Sequence, residues 1–144
     1  MAEGDITLYN NFKEQVLLGA IDLSNDVVYV TLHGGYTPDI DADQVWGDVS
    51  GTEYPSYGNY VLGGIGISGS SVAQDDANDR ASWDGEDVTF PSLNLSGTAP
   101  GYGVLRDGTI ANSPLIGYIE LGVTVTNGGN YTLQWNANGI LLAS

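Results

Sequence analysis

The chain has 144 residues, 42 % of them hydrophobic, with 21 glycines and no cysteine. That is one domain's worth of chain, able to bury roughly 68 % of its unfolded surface, and the missing cysteine excludes a disulfide framework, a zinc–thiolate centre and a thiol nucleophile. Three basic residues, Lys13, Arg80 and Arg106, stand against 18 acidic ones for a net charge of −15, which excludes a nucleic-acid partner, because phosphate backbones are held by Lys and Arg.

The acid excess fits solubility and low self-aggregation, a basic partner surface, or divalent cations. No apolar run is long enough to suggest a membrane span. The acidic leader Met1–Asp5 lacks the basic-then-apolar pattern of a secretory signal. Residues 1–7 are expected to form a mobile arm on a single domain spanning 1–144.

Residues 8–20 form the one predicted helix. Asn11 and Glu14 stand in capping-box spacing, Tyr9, Phe12 and Val16 share a face, and Gly19 offers a left-handed stop. The helix serves either as a plug for one end of a sandwich or as a docking element. Val27–Leu32 is β-branched and aromatic, apolar on both faces, and therefore a candidate central strand. His33 closes it. From Tyr36 to Tyr57 periodicity disappears, with Val45 and Trp46 expected to tuck this excursion onto the core. Loops of that length are uncommon unless functional or carrying small elements, which makes this the first candidate contact surface.

Short strands follow at Tyr60–Leu62, Ile65–Ile67 (continuing through Val72–Gln74), Arg80–Asp84, Val88–Phe90 and Tyr102–Arg106. Ala81 and Trp83 are expected to point inward. From Leu115 to Val125 the odd positions are apolar around Gly117, with Ile116 as the exception, and alternation resumes at Tyr131, Leu133 and Trp135. A three-residue loop would set Val125 by Tyr131, Val123 by Leu133 and Leu121 by Trp135, keeping the apolar sets on one face. Asn138–Gly139 would turn the chain into Ile140–Leu142, with Leu142 beside Trp135. The last thirty residues thus predict a three-stranded meander. The whole predicts an all-β fold, an antiparallel β-sandwich of jelly-roll or Ig-like kind with seven to nine short strands and one N-terminal helix.

Tests for chemistry point away from an enzyme. His33 is the sole imidazole, and Gly66-Ile67-Ser68-Gly69 misses the nucleophile-elbow spacing. No glycine-rich run precedes a lysine to cradle phosphate. Asp39, Asp41 and Asp43 resemble the start of a helix-loop-helix calcium loop, which fails at Gln44 and Ser50, where glycine and glutamate are needed. An irregular calcium site at these acids, or at Asp75, Asp76, Asn78 and Asp79, stays open, with solvated turn acids as the plainer reading. No catalytic, metal or cofactor residue is assigned. Tyr54, Tyr57 and Tyr60 recur every third residue, as a contact surface or a sugar-stacking strip would have them. Packing of the loop on its own core explains them as well.

Three blocks resemble small virion proteins of tailed bacteriophages. They are Tyr9–Gln15 with Leu17-Leu18-Gly19, then Gly35–Ala42, and Ser113–Ile119 with Gln134-Trp135-Asn136; Asp75–Ala81 fits the same pattern. Trp46-Gly47 and Tyr54–Asn59 match no block. The resemblance implies a capsid decoration (cement) protein, made in the host cytoplasm and seated on the capsid exterior, with no catalytic residue and no cofactor. It implies the major capsid protein as partner and a homo-oligomer, dimer or trimer. Candidate contacts are Tyr9, Phe12, Lys13, Trp46, Tyr54, Tyr57 and Tyr60. Alternatives are a tail or head–tail component, or a carbohydrate-binding host adhesin using the three tyrosines.

Overall fold

The computed structural model describes residues 2–4 as backbone and residues 6–95, 100–122 and 126–143 in full. In chain order these form β1 (Ala2–Gly4), β2 (Thr7–Leu8), α1 (Asn10–Leu17), β3 (Val28–His33), α2 (Trp46–Val49) and β4 (Ile65–Gly66). Then follow β5 (Ser71–Asp75), β6 (Arg80–Asp84), β7 (Val88–Phe90), β8 (Gly101–Asp107), β9 (Leu115–Gly122), β10 (Tyr131–Trp135) and β11 (Leu141–Ala143). The fold is all-β as predicted. Its sheets are antiparallel except where β1 runs parallel to β10.

The largest sheet has the order β2-β9-β8-β3-β4, and β3 sits between two partners, as its two apolar faces predicted. Two smaller sheets have the orders β1-β10-β7 and β11-β6-β5. All three sheets feed one core. Val28, Val30, Leu32, Leu105 and Ile119 come from the large sheet, Val88, Phe90, Tyr131 and Leu133 from the second, and Trp83 from the third. Alternation dictates this, since successive strand side chains leave on opposite faces. In β10, Tyr131, Leu133 and Trp135 are buried while Gln134 is exposed.

The predicted C-terminal meander is not what forms. β10 lies against β7, with Tyr131 opposite Phe90 and Leu133 opposite Val88, and β11 lies against β6, with Leu141 opposite Trp83. Both edges of β9 are already taken by β8 and β2. The Gly128-Gly129 segment therefore crosses between sheets, exchanging backbone hydrogen bonds with Leu93 (2.8 and 3.0 Å). Val123 and Val125, on which the predicted register rested, lie outside the described residues. The turn at Asn136–Gly139 does form, with Gly139 N–H donating to the Asn136 carbonyl, but it delivers the chain to β6.

Ile116 breaks the alternation for a physical reason. Leu115 pairs with Arg106 and Gly117 with Leu105, so Ile116 is the extra residue of a β-bulge. The bulge sends Leu115 to the opposite face from Ile119 and Leu121. Gly117 permits the crossing of β2, because a Cβ there would stand 2.5 Å from the Ile6 side chain and 2.7 Å from the Thr7 carbonyl.

Other boundaries moved. The mobile arm expected over 1–7 is held by pairing where it is described, through Ala2–Gly4 on β10 and Thr7-Leu8 on β9. The helix is shorter than 8–20, and Asn11 does not cap it. Its N-cap is Tyr9, and the Asn11 amide instead donates to the Gln44 carbonyl at 3.2 Å. Gly19 ends it in the left-handed region, as expected, with φ of +74°. Tyr60–Leu62 is not a strand; Tyr60 is buried and Val61 and Leu62 face outward.

Candidate interaction surface

The side of the large sheet turned away from the main core is set by the same alternation. β3 offers Tyr29, Thr31 and His33 there, β8 offers Tyr102, Val104 and Arg106, and β9 offers Leu115 and Tyr118. The excursion after β3 folds over this side. Its α2 places Trp46 and Val49 on the sheet, and Val45 bridges to Pro114.

The rings form a continuous row. Tyr9 packs on Tyr118 (5.7 Å between centroids), Tyr118 on Tyr102 (5.9 Å), Tyr102 on Tyr36 (5.8 Å), Tyr36 on His33 (5.6 Å) and His33 on Trp46 (5.6 Å). All five contacts are tilted or edge-on, the arrangement favoured by ring quadrupoles. The Arg106 guanidinium closes the row, 4.8 Å from the Trp46 ring and 4.9 Å from that of Tyr29.

Hydrogen bonds lock the cover in place. The Tyr36 hydroxyl donates to Asp43 Oδ2 (2.5 Å) and so accepts from the Tyr9 hydroxyl (2.8 Å). Burial, foremost, pushes the titration of both phenols well above its ordinary range. His33 is fully buried, with Nε2 bonded to Thr31 Oγ1 (2.8 Å) and Nδ1 to Thr52 Oγ1 (2.9 Å). Desolvation lowers its pKa from 6.5 to about 4, so the ring is neutral near neutrality. The imidazole is sealed under the excursion and ties β3 to it.

The predicted contacts divide. Tyr9 and Phe12 are buried, and so is Tyr60, whose hydroxyl donates to Glu53 Oε1 (2.6 Å) and accepts from Leu32 N–H (3.1 Å). Tyr9 and Tyr60 are structural in this chain, and Phe12 reaches the surface only at the floor of a groove beside α1. Trp46 and Tyr54 are half-buried, and only Lys13 and Tyr57 are exposed. The tyrosine strip does not form because Tyr57–Tyr60 is a turn, closed by Tyr60 N–H on the Tyr57 carbonyl, so its residues face different ways.

The loop acids are occupied locally. Asp39 Oδ1 accepts from Asp41 and Ala42 N–H, Asp43 serves Asp39 N–H as well as Tyr36, and Asp41 takes the Asn10 amide. Asp75 accepts from Asn78 (2.8 Å) and pairs with Arg80 (3.0 Å). Among the described residues no group of three or more His, Asp or Glu side chains is placed to hold a metal ion. Asp107 is the exception to easy solvation. Fully buried, with Oδ2 lacking a donor and the Asp26 carboxyl beside it, it is pushed up to about 6, chiefly by desolvation.

All three cations are engaged. Lys13 Nζ donates to Asn10 (3.2 Å), Arg80 pairs with Asp75, and Arg106, besides its two rings, donates to Ser113 Oγ (3.0 Å) and the Gly63 carbonyl (3.1 Å). Free negative charge dominates the exterior.

The sequence reading missed an apolar shelf. The end of α1 exposes Leu17 at 88 % and Leu18 at 70 %, and a groove of about 460 Å³ separates α1 from β11. The signal was present, since the predicted face of Tyr9, Phe12 and Val16 leaves Leu17 and Leu18 off it; the structure buries Tyr9 and Phe12 and leaves Val16 exposed beside the two leucines.

Three of the segments quoted for the phage resemblance, 9–15, 35–42 and 113–119, touch one another. Tyr9 N–H donates to the Ile116 carbonyl (3.2 Å), Asn10 N–H to the Ile40 carbonyl (3.0 Å), and the Tyr9 ring lies on Tyr118. Compared with protein-family models, with curated proteins and with solved structures, the chain matches none of them.

Proposed function

We propose that this chain is a structural virion protein of a tailed phage, a decoration protein seated outside the head that clamps neighbouring capsomers by binding the major capsid protein. In this reading the sheets are the two layers of a β-sandwich, and the protein works by adhesion, without a reaction centre.

The observation that carries the reading is the convergence of the three resembling blocks. Segments far apart in sequence, 9–15, 35–42 and 113–119, meet through backbone hydrogen bonds and stacked rings. The other resembling segments, Gln134–Asn136 and Asp75–Ala81, belong to the two smaller sheets. The anionic exterior supports the same reading, since it keeps the protein off packaged phosphate and favours a basic partner surface.

Copy number in purified particles tests it. A decoration protein is present at hundreds of copies, and particles lacking it break at lower temperature. A few copies per particle would indicate a tail or head–tail part. Glycan binding by the isolated chain, with no particle association, would overturn the reading in favour of an adhesin.

A further inference from the structure

We infer that two copies of this chain pair with each other through the shelf formed by the end of α1 and the free edge of β11. The inference stands apart from the virion reading, because it rests on the shape and charge of this surface alone.

The edge comes first. β11 ends the sheet β11-β6-β5, and among the described residues no strand lies on its other side. An open edge is a template for pairing, and proteins blunt such edges with charge, proline or a bulge. Leu141-Leu142-Ala143 has none of these, and only its three-residue length limits it as a template. The opposite edge, β5, runs Ser71-Val72-Ala73-Gln74-Asp75 and ends in the Asp75–Arg80 ion pair.

The shelf beside that edge carries both a projection and a recess. Leu17 and Leu18 project, and the adjoining groove is lined by Phe12, Val16, Leu17, Leu23, Leu141 and Leu142. A surface holding both side by side is self-complementary under a two-fold axis, where each copy's projection enters the other's recess. The exposed parts of Val16, Leu17, Leu18 and Leu142 amount to on the order of 400 Å² of apolar surface, the size of the main apolar patch of an ordinary domain and often a functional one. Two such patches give on the order of 800 Å², and the backbone edge of β11 must add to them to reach the roughly 1,000 Å² of a weak, reversible interface.

Charge selects a second copy over a basic partner here. Residues 6–23 and 137–143 build most of the shelf, and their only charged side chains are Lys13, Glu14 and Asp22, a net of −1. The rest of the net −15 resides elsewhere on the chain. A basic partner is drawn to that acidic surface, while the weakly charged shelf is where two acidic copies repel each other least. Their remaining repulsion is screened by salt, so pairing tightens as salt rises, the reverse of binding to a basic partner.

Sedimentation of the full chain from about 1 to 300 µM, at about 0.05 and 0.5 M NaCl, tests the inference. A monomer–dimer equilibrium with a micromolar midpoint is expected, at least threefold tighter in high salt. Leu17→Glu should weaken it at least tenfold, while Val61→Glu, at an exposed apolar site elsewhere, should leave it unchanged. Because the chain has no cysteine, Leu142→Cys should give a disulfide-linked dimer under mild oxidation and Val61→Cys should not. A chain monomeric at the top concentration in high salt overturns the inference. So does a dimer that Leu17→Glu leaves intact.

Discussion

Two surfaces meet at α1, and they invert the usual expectation. The aromatic side of the large sheet holds the side chains that normally suggest function, namely His33, Tyr9, Tyr36, Trp46, Asp43 and Arg106. Those side chains are bonded to one another beneath the excursion. The other surface, on the far part of α1, holds only leucines and their neighbours, and it lies open. Residue type is therefore a poor guide to which surface binds. Burial and the fate of each polar atom decide it: the polar set is bonded within itself, Arg106 Nε excepted, and the apolar set lies open.

Substitutions should separate the two surfaces, the first group through stability and the second through association. Trp46→Ala has the largest expected effect, since it removes one ring from the row and uncovers both His33 and Arg106. A loss of about 3 kcal/mol is expected, read as a fall in Tm of about 6–12 °C. A Tm within two degrees of the parent would mean that the row does not hold the excursion.

His33 gives a pH signature of similar size. Its folded pKa of about 4 lies below the ordinary 6.5, so folding favours the neutral ring. The stabilisation is full above pH 6.5 and is lost as pH falls from 6.5 through 4, by about 3 kcal/mol in all. Asp107, raised from 3.8 to about 6, runs the other way: its contribution is full below 3.8 and is lost as pH rises through 6. Comparing His33→Gln with the parent by chemical denaturation cancels the Asp107 contribution. The stability gap should be widest above pH 6.5 and close towards pH 4. A gap independent of pH would place the imidazole in water.

The smallest expected effect is on the open surface. Leu17→Glu exchanges an exposed leucine for a good helix former and should change monomer stability by no more than about 0.5 kcal/mol, as measured in dilute solution. A large loss would show that Leu17 packs within its own chain, and the contrast between the surfaces would fail.

Much of this was legible in the sequence. Alternation located β6, β9 and β10, and β-branched and aromatic content located β3, because both signals are local. Partner choice was not local. The alternation of β10 suits any apolar strand, and only the occupied edges of β9 send it to β7. Ile116 was visible as an anomaly, but its meaning as a bulge needs the opposing strand. The three-residue spacing of Tyr54, Tyr57 and Tyr60 misled because it implies one face only in a regular helix. His33 is followed by glycines on which the chain turns back, so its burial depends on residues 36–52, whose path has no periodicity to read.

Hydrogen–deuterium exchange at low and high protein concentration tests the central contrast most directly, because it reads both surfaces in one experiment. The account predicts that amides in 13–18 and 141–143 gain protection as concentration rises, while β3 and residues 36–52 are protected equally at both. Exchange that ignores concentration at the leucine surface, or concentration-dependent protection over 36–52, would contradict it.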